Sequence, residues 1–546
     1  MLGRAMPLTH FLRRTGFRST ARWGAIALAV AAGLTLAEPP STCWPLAGFA
    51  LAPWLVAVAR SRLGAALVGS AFVGAAWAYA SAPWVPGALR SLDAGPVAAL
   101  TGSLVAAVWV KGIPFATVGA LVYAGRRTSR WRRIVLTGGG FFLVDGAHST
   151  FAWGVPWALL GHSQGVALGV AQLAAVGGVP LLSGLLAAIN QAAAIVWEER
   201  GTRGSLRLFA ALVAAWVSLA LIGLPLAKVL RQEGAPAGGS EVSLLVVQPH
   251  IPRGEHWAEN LQASHLSRLV TATERALAEP GVRPAAVLWP ENLLTSPVDR
   301  VPELAAVLQE SVDRLGVPVI LGAVRSADGR DPDRYRSSVL WVEPQRGIVA
   351  AIDKTRAFPL VEARTHSRGA ALVARAFGAA AEGKKVEEAA HAGPLQGGFT
   401  LTAVLCYEAL FPGIVAERRA PESVAIVNLA DDGWLGEDAP TRQLAAFASF
   451  RAIEQRLPFV RVTHGGLSLA VDAFGESLLE VPRNTWAHGR VEVRASAPPA
   501  LADRLALLAL PLSTGLGVWW ALAGRARGEG ARATAPGAHC EERSSP

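Results

Sequence analysis

Over its first 230 residues the chain alternates long unbroken apolar stretches with short basic loops; beyond them the pattern changes to brief β-branched runs separated by helical periodicity. The apolar stretches before that change run over Trp23–Ala37, Trp44–Ala59, Leu63–Ala82, Val97–Ala124, Ile134–Ala158, Val166–Trp197 and Leu208–Leu230, and an eighth follows near the end at Leu505–Ala523. Most reach the roughly 20 residues that cross a bilayer. The pattern therefore predicts seven transmembrane helices within 23–230 and an eighth within 501–524. Trp23–Ala37 is followed at once by more apolar segments, so it reads as a retained first helix rather than a cleaved signal. Val97–Ala124 is long enough to tilt or to break at Pro114.

The stretch 231–500 carries its own signature. Val242–Gln248, Ala286–Trp289, Val317–Leu321, Ser338–Val342, Ile348–Ile352, Leu401–Leu405, Val424–Asn428, Phe459–Val462 and Leu467–Val471 read as strands. Leu261–Ala278, Pro302–Leu315 and Thr441–Arg456 read as helices. Many of the strands are apolar throughout, as when both faces of a sheet are covered, so this is an α/β domain inserted before the last membrane helix. Arg364–Gly397 is Ala/Gly-rich and reads as a long surface excursion.

Composition agrees with the pattern: 52% of the 546 residues are hydrophobic and 17% charged, a membrane-protein balance. The net charge of +10 does not mark a nucleic-acid partner, because the arginines fall in clusters between apolar stretches. Those clusters occupy the arm 1–22, the loops after segments two, four and six, and the tail 525–546, whereas Glu38–Thr42 and Pro83–Gly95 are nearly free of positive charge. With seven crossings before the domain, every cluster lies on one side, the cytoplasm. Residues 231–500 then face outward, and the tail reads as unstructured. Cys43, Cys406 and Cys540 share no paired spacing, so neither a disulfide framework nor a metal site is expected, and no cofactor. Cys43 reads as a membrane packing residue. Lys111, inside the fourth segment, is a costly residue in lipid and reads as structural or as a headgroup contact.

Cys406 is the one cysteine of the outer domain and follows the apolar run Leu-Thr-Ala-Val-Leu. A thiol nucleophile needs a base to take its proton and a positive group for the developing oxyanion. Trp289-Pro290-Glu291 places a carboxylate just past another strand, and Ile352-Asp353-Lys354 ends a third with an ammonium. Each has a plain reading: a small buried hydrophobe, a turn residue, a solvated charge. The order Glu, Lys, Cys, each at a strand end, is far more specific than any of them.

That set resembles the nitrilase superfamily, and the whole chain resembles the apolipoprotein N-acyltransferases, in which a nitrilase-like domain sits between a seventh and an eighth membrane helix. The resemblance rests on Val247-Gln248-Pro249-His250-Ile251-Pro252 with Trp257, on Trp289-Pro290-Glu291, and on Asp353-Lys354 with Glu362. It continues through Cys406-Tyr407-Glu408, Asp432-Gly433-Trp434-Leu435-Gly436, Gly465-Gly466-Leu467-Ser468, and Gly154-Val155-Pro156-Trp157 followed by Gly161-His162-Ser163-Gln164. The sequence departs from the family where Thr-Arg-Ala-Phe-Pro-Leu-Val-Glu362 follows Lys354, where Asp431-Asp432 replaces Asn-Asp, and where Asp145-Gly-Ala-His148 replaces a Glu-x-x-Arg pairing.

The resemblance implies an αββα sandwich carried outside the bacterial inner membrane, on the periplasmic side. It implies a ping-pong acyl transfer in lipoprotein maturation. Cys406, deprotonated by Glu291, takes an acyl chain from a phospholipid, phosphatidylethanolamine being the expected donor. The thioester then acylates the α-amine of the diacylglyceryl-cysteine of an apolipoprotein. Lys354 stabilises the oxyanion, Glu362 and Glu408 orient Lys354 or the nucleophile, and Trp434, Trp157 and Trp257 line the substrate entrance. Two alternatives stay open on the residues alone. One is a membrane-tethered amidase or nitrilase acting on a small C–N substrate; the other is a transporter or lipid-binding protein whose outer domain is catalytically inactive.

Overall fold

The computed structural model of the chain describes residues 8–90, 95–151, 154–234, 241–252, 255, 259–327, 334–358, 385–433, 435, 438–494 and 501–533. Five helices among them are long and apolar enough to cross a membrane: Thr20–Ala37, Leu63–Ser81, Pro96–Gly125, Ala174–Glu198 and Arg203–Leu230. Two of the eight expected crossings are shorter apolar helices, Trp44–Ala59 and Arg504–Trp519. In the former, a 3₁₀ turn over Trp44–Gly48 gives way to a helix over only Ala52–Ala59. At 1.5 Å per residue that helix extends roughly 12 Å, well short of a hydrocarbon core of about 30 Å. Asn190 satisfies the backbone at the break, donating to the Ala47 carbonyl at 2.7 Å and accepting from the Leu51 N–H at 2.8 Å. The fifth apolar segment is the 21-residue helix Arg130–Thr150, whose first turn carries three arginines.

Proline and glycine shape two of the long helices. A widened turn at Val108–Gly112 precedes Pro114, which lacks an N–H to donate to the preceding turn. Ala174–Glu198 kinks at Gly177 and Gly178, the latter with φ at +69°. Lys111 sits in the widened turn, buried, its ammonium 4.7 Å from the ring centre of Trp77. Cys43 is exposed in the turn before Trp44, so the expected packing role is not the one it has. The first helix begins at Leu8 and the last extends to Ala533, each continuing into the expected arm and tail.

The α/β domain is built on two sheets. The first holds β13 (Ala487–Arg494), β1 (Glu241–Gln248), β2 (Ala286–Leu288), β3 (Val319–Ser326), β4 (Arg334–Glu343) and β5 (Gly347–Asp353) in that spatial order, with β6 (Lys385–Val386) also beside β4. The second holds β12 (Ser477–Glu480), β11 (Leu469–Val471), β10 (Phe459–His464), β9 (Ile426–Asp431), β8 (Thr400–Leu405) and β7 (Leu395–Gln396). Alternation along β1 shows how the layers form. Leu244 and Val246 enter the apolar layer shared with Leu405, Val427 and Val460 of the second sheet. Leu245 and Val247 pack instead with Leu266, Leu269 and Leu308 of the helices Gln262–Ala278 and Pro302–Leu315. The outer face of the second sheet is covered by Pro412–Arg418 and Asp438–Gln455.

The domain is docked on the membrane helices through Asp438–Gln455. Gln443 donates to Glu38 at 3.3 Å and to the Ser81 carbonyl at 2.9 Å. Glu454 accepts from the Val179 N–H, freed by the Gly177–Gly178 kink, at 3.3 Å. Arg456 donates to Gln172 at 2.6 Å. Between these polar locks lies one apolar cluster drawn from both parts, with Trp84 and Trp157 beside Tyr407, Phe411 and Phe447.

Candidate active site

Topology brings three strand ends to one side of the sandwich. β1, β2 and β3 are parallel, as are β8, β9 and β10. β5 is antiparallel to β4 and β4 to β3, so β5 runs with the parallel set. The carboxyl ends of such strands are where open sheets gather their chemistry. Here those ends carry Glu291 after β2, Lys354 after β5 and Cys406 after β8.

Glu291 is placed by its backbone. Pro290 follows β2, its carbonyl accepting from the Gly322 N–H at 3.0 Å, and the Glu291 N–H reaches across to the Ala430 carbonyl of β9 at 3.3 Å. This brings Glu291 to the strand beside the one that delivers Cys406, because Leu405 pairs with Leu429. Gly322 permits the approach: a Cβ there would stand 2.4 Å from the Glu291 Cα. The Glu291 Oε1 accepts from the Lys354 Nζ and from the Ser337 Oγ, each at 3.0 Å. Both partners of this ion pair are buried, Glu291 1% and Lys354 0% exposed, a state tolerated only with a close partner of opposite charge.

Cys406 opens a 3₁₀ turn, Cys406–Leu410, straight after β8. Its φ is +43°, a left-handed conformation costly for a residue with a Cβ and one that concentrates at functional sites. Two buried networks hold it. Asn428 of β9 donates to the carbonyls of Cys406 at 3.2 Å and Val404 at 3.3 Å. Asn428 in turn accepts from Arg461, which forks onto both oxygens of Asp432 at 2.7 and 2.9 Å. On the other side, Glu408 accepts from the Leu405 N–H at 2.8 Å and from the N–H groups of Thr355 and Arg356 at 2.7 and 3.2 Å. It is thereby bound to the residues flanking both the thiol and the ammonium. Burial pushes the Glu408 carboxyl up, but the bidentate Arg418 beside it, with the Leu405 N–H and Lys354, brings it below the usual carboxylate range.

Of the residues singled out in the sequence, Glu291 and Lys354 touch, and Glu408 bridges the Lys354 and Cys406 turns. Trp157 is buried in the junction cluster, its ring 5.2 Å from Trp84 and 5.6 Å from Phe447. Glu362, Trp257 and Trp434 lie outside the described residues. Ser337, Arg418, Asn428 and Arg461 were not singled out, although Asn428 and Arg461 each interrupt an apolar run. A polar residue within a strand buried on both faces, as in Ile-Val-Asn428-Leu or Phe-Val-Arg461-Val, is itself a signal. Among the described residues no group of three or more His, Cys, Asp or Glu side chains is arranged to hold a metal.

Comparison with known proteins gives the same two-part division. The family described as apolipoprotein N-acyltransferase N-terminal domain matches residues 30–192, and carbon-nitrogen hydrolase matches residues 246–486. The apolipoprotein N-acyltransferase of Brucella melitensis biotype 1 is 29% identical over 473 residues, covering 81% of this chain and 84% of that one. That of Caulobacter vibrioides is 29% identical over 490 residues, covering 83% and 85%. A solved carbon-nitrogen hydrolase from Helicobacter pylori G27 superposes with a TM-score of 0.35 and 13% identity, over 50% of this chain and 91% of that one. With an N-terminal membrane region and a carbon-nitrogen hydrolase domain that both match, in the order of these relatives and over most of their length, the chain belongs to the apolipoprotein N-acyltransferase family.

Proposed function

We infer that this protein is a membrane acyltransferase that N-acylates the diacylglyceryl-cysteine terminus of apolipoproteins, by way of a thioester on Cys406. The observation that carries the reading is the buried Glu291–Lys354 pair tied to the Cys406 turn through Glu408, in a domain seated directly on apolar helices. In the first half-reaction the Cys406 proton passes to Glu291 as the sulfur attacks an ester carbonyl of a phospholipid. Lys354, with the Tyr407 backbone N–H as a second donor, stabilises the tetrahedral oxyanion. Collapse breaks the ester C–O bond, and the lysophospholipid alkoxide leaves with the proton held by Glu291. In the second half-reaction the lipoprotein amine attacks the thioester, loses a proton to Glu291, and leaves as the amide while the thiol is restored.

Phosphatidylethanolamine is the donor in this reading, and Glu362 supports Lys354. Trp157, Trp257 and Trp434 line the entrance for the acyl chain. The site is on the periplasmic side of the inner membrane, after seven crossings, with an eighth following. The ion pairs Arg130–Glu199 and Arg133–Glu198, at 2.8 and 2.6 Å, support that orientation. They join the basic loops after segments four and six. The opposite ends of the same helices meet the domain, Arg356 donating to the Phe151 carbonyl and Glu454 accepting from Val179. Incubation with acyl-labelled phosphatidylethanolamine is expected to leave a hydroxylamine-labile label on Cys406 that chases onto a diacylglyceryl lipopeptide. N-acylation by Cys406→Ala or Glu291→Ala would show the mechanism to be wrong.

A further inference from the structure

Arg418 ends the short helix Pro412–Arg418 and is 1% exposed, with no place in the acyl-transfer chemistry above. Its guanidinium makes four hydrogen bonds to described residues, all inward. Nη1 donates to Glu408 Oε2 at 2.8 Å and to the Ala403 carbonyl of β8 at 2.9 Å. Nη2 donates to Glu408 Oε1 at 2.6 Å and to the Thr355 Oγ1 at 2.9 Å. The Thr355 hydroxyl in turn donates to Glu408 Oε1 at 3.0 Å. One planar fork therefore touches the strand that delivers the thiol, the residue following the ammonium, and the carboxylate that binds the backbone of both.

We propose that Arg418 is a positioning residue for acyl transfer, fixing the separation of Lys354 from Cys406 by clamping Glu408 between the two turns. This rests on the assignment of Cys406 as nucleophile and Lys354 as oxyanion donor. The physical reason is a mismatch between what the two turns need and what they contain. Leu405 N–H, Thr355 N–H and Arg356 N–H all converge on one buried carboxylate, and only a charged acceptor binds several such donors strongly. A carboxylate that deep stays charged only beside a cation with excellent geometry. The charged groups facing Glu408 among the described residues are Arg418 from its helix and Lys354, paired with Glu291, from the end of β5. Lys354 is already paired with Glu291 at 3.0 Å, so the neutralising charge for Glu408 falls to Arg418. Lysine cannot replace it fully, because an ammonium is a point donor and cannot span two oxygens, a carbonyl and a hydroxyl in one plane.

The test is the rate of thioester formation on Cys406 in the full-length protein in detergent, with acyl-labelled phosphatidylethanolamine, between pH 5.5 and 9. Arg418→Met is expected to lower the saturating rate about 10–100-fold at neutral pH, the scale of a displaced catalytic group, with KM little changed. Its rate relative to the wild type should rise with pH, because Glu408 without its cation is protonated by burial and regains charge only at higher pH. Arg418→Lys should lose several-fold, with a ratio to wild type that is flat in pH. Wild-type rates in both variants would overturn the proposal, as would an Arg418→Met loss that does not vary with pH. If Arg418→Met does not fold, Arg418→Lys decides: a full wild-type rate overturns the clamp, and a lower saturating rate at unchanged KM supports it. Absence of any thioester on the wild-type protein is a different failure, that of the Cys406 assignment itself.

Discussion

The first sheet delivers a carboxylate and an ammonium that grip each other: Glu291 and Lys354 arrive from β2 and β5 and meet in one buried ion pair. The second delivers a thiol that is positioned through its main chain. Cys406 stands at φ +43°, its carbonyl held by Asn428 and its turn by Glu408, each backed by a buried arginine. The difference separates two requirements of covalent catalysis. A base and an oxyanion donor must hold opposite charges out of water, which a direct pair achieves. A nucleophile must carry the acyl chain on its sulfur, so the protein fixes the backbone around it and places an ionic contact two residues on, at Glu408.

This contrast is breakable by mutation. Lys354→Met should have the largest effect. It leaves Glu291 buried without its cation, which costs about 3–5 kcal/mol, and it should end thioester formation. The double variant Glu291→Gln/Lys354→Met should recover much of that stability in thermal unfolding while staying inactive. Full stability in the single variant would show that the pair is not the organising contact of the first sheet. Gly322→Ala comes next. The added Cβ meets the Glu291 Cα at 2.4 Å, main chain that cannot swing aside. A loss of about 1–3 kcal/mol is expected, with the acylation rate down about 100-fold.

Asn428→Leu tests the second sheet. It removes the donor to the Cys406 and Val404 carbonyls and the acceptor for Arg461, for about 1–3 kcal/mol and roughly tenfold in saturating rate. A stability loss with unchanged rate would mean that the network is scaffold and does not aim the thiol. The smallest effect is in pH. Glu408 is held below the ordinary carboxylate value of 4.5. Its stabilising contribution is therefore complete above that value and lost as pH falls through its lower folded pKa. The gap in unfolding midpoint between wild type and Glu408→Gln should stay constant from neutral pH down to about 4.5 and narrow below it. A gap that widens on acidification would reverse the sign of the Glu408–Arg418 interaction.

Much of the fold was legible because its core strands are apolar on both faces. Val242–Gln248 and Leu401–Leu405 emerge within a residue of the observed β1 and β8, and Pro302–Leu315 is a helix with the expected bounds. β13 escaped notice because only Val491 and Val493 of Ala487–Arg494 are buried, the intervening positions being polar. Its identity as a strand comes from pairing with β1 at the far end of the chain. The same limit applied in the membrane part. Hydropathy marks Trp44–Ala59 as apolar, but not that it breaks after Gly48 and is held there by Asn190 from a helix far along the chain.

At the site, Glu291, Lys354 and Cys406 were readable because each is a polar residue closing an apolar strand, and their order is distinctive. Glu408 was readable as a neighbour of Cys406, though its binding of Thr355 and Arg356 was not. Arg418 and Arg461 looked like two more arginines in an arginine-rich chain. Residue type and periodicity alone specify the alternation of membrane helices and α/β domain, and the strand ends that carry the proposed nucleophile, base and oxyanion donor. Those are local properties. Only the tertiary structure decided which carboxylate meets Lys354, which arginine clamps Glu408, and which helix seats the domain on the membrane part. Such pairings join residues 10 to 405 positions apart, and burial fixes the partner because a charge removed from water must find its counterpart in space, whatever its distance along the chain.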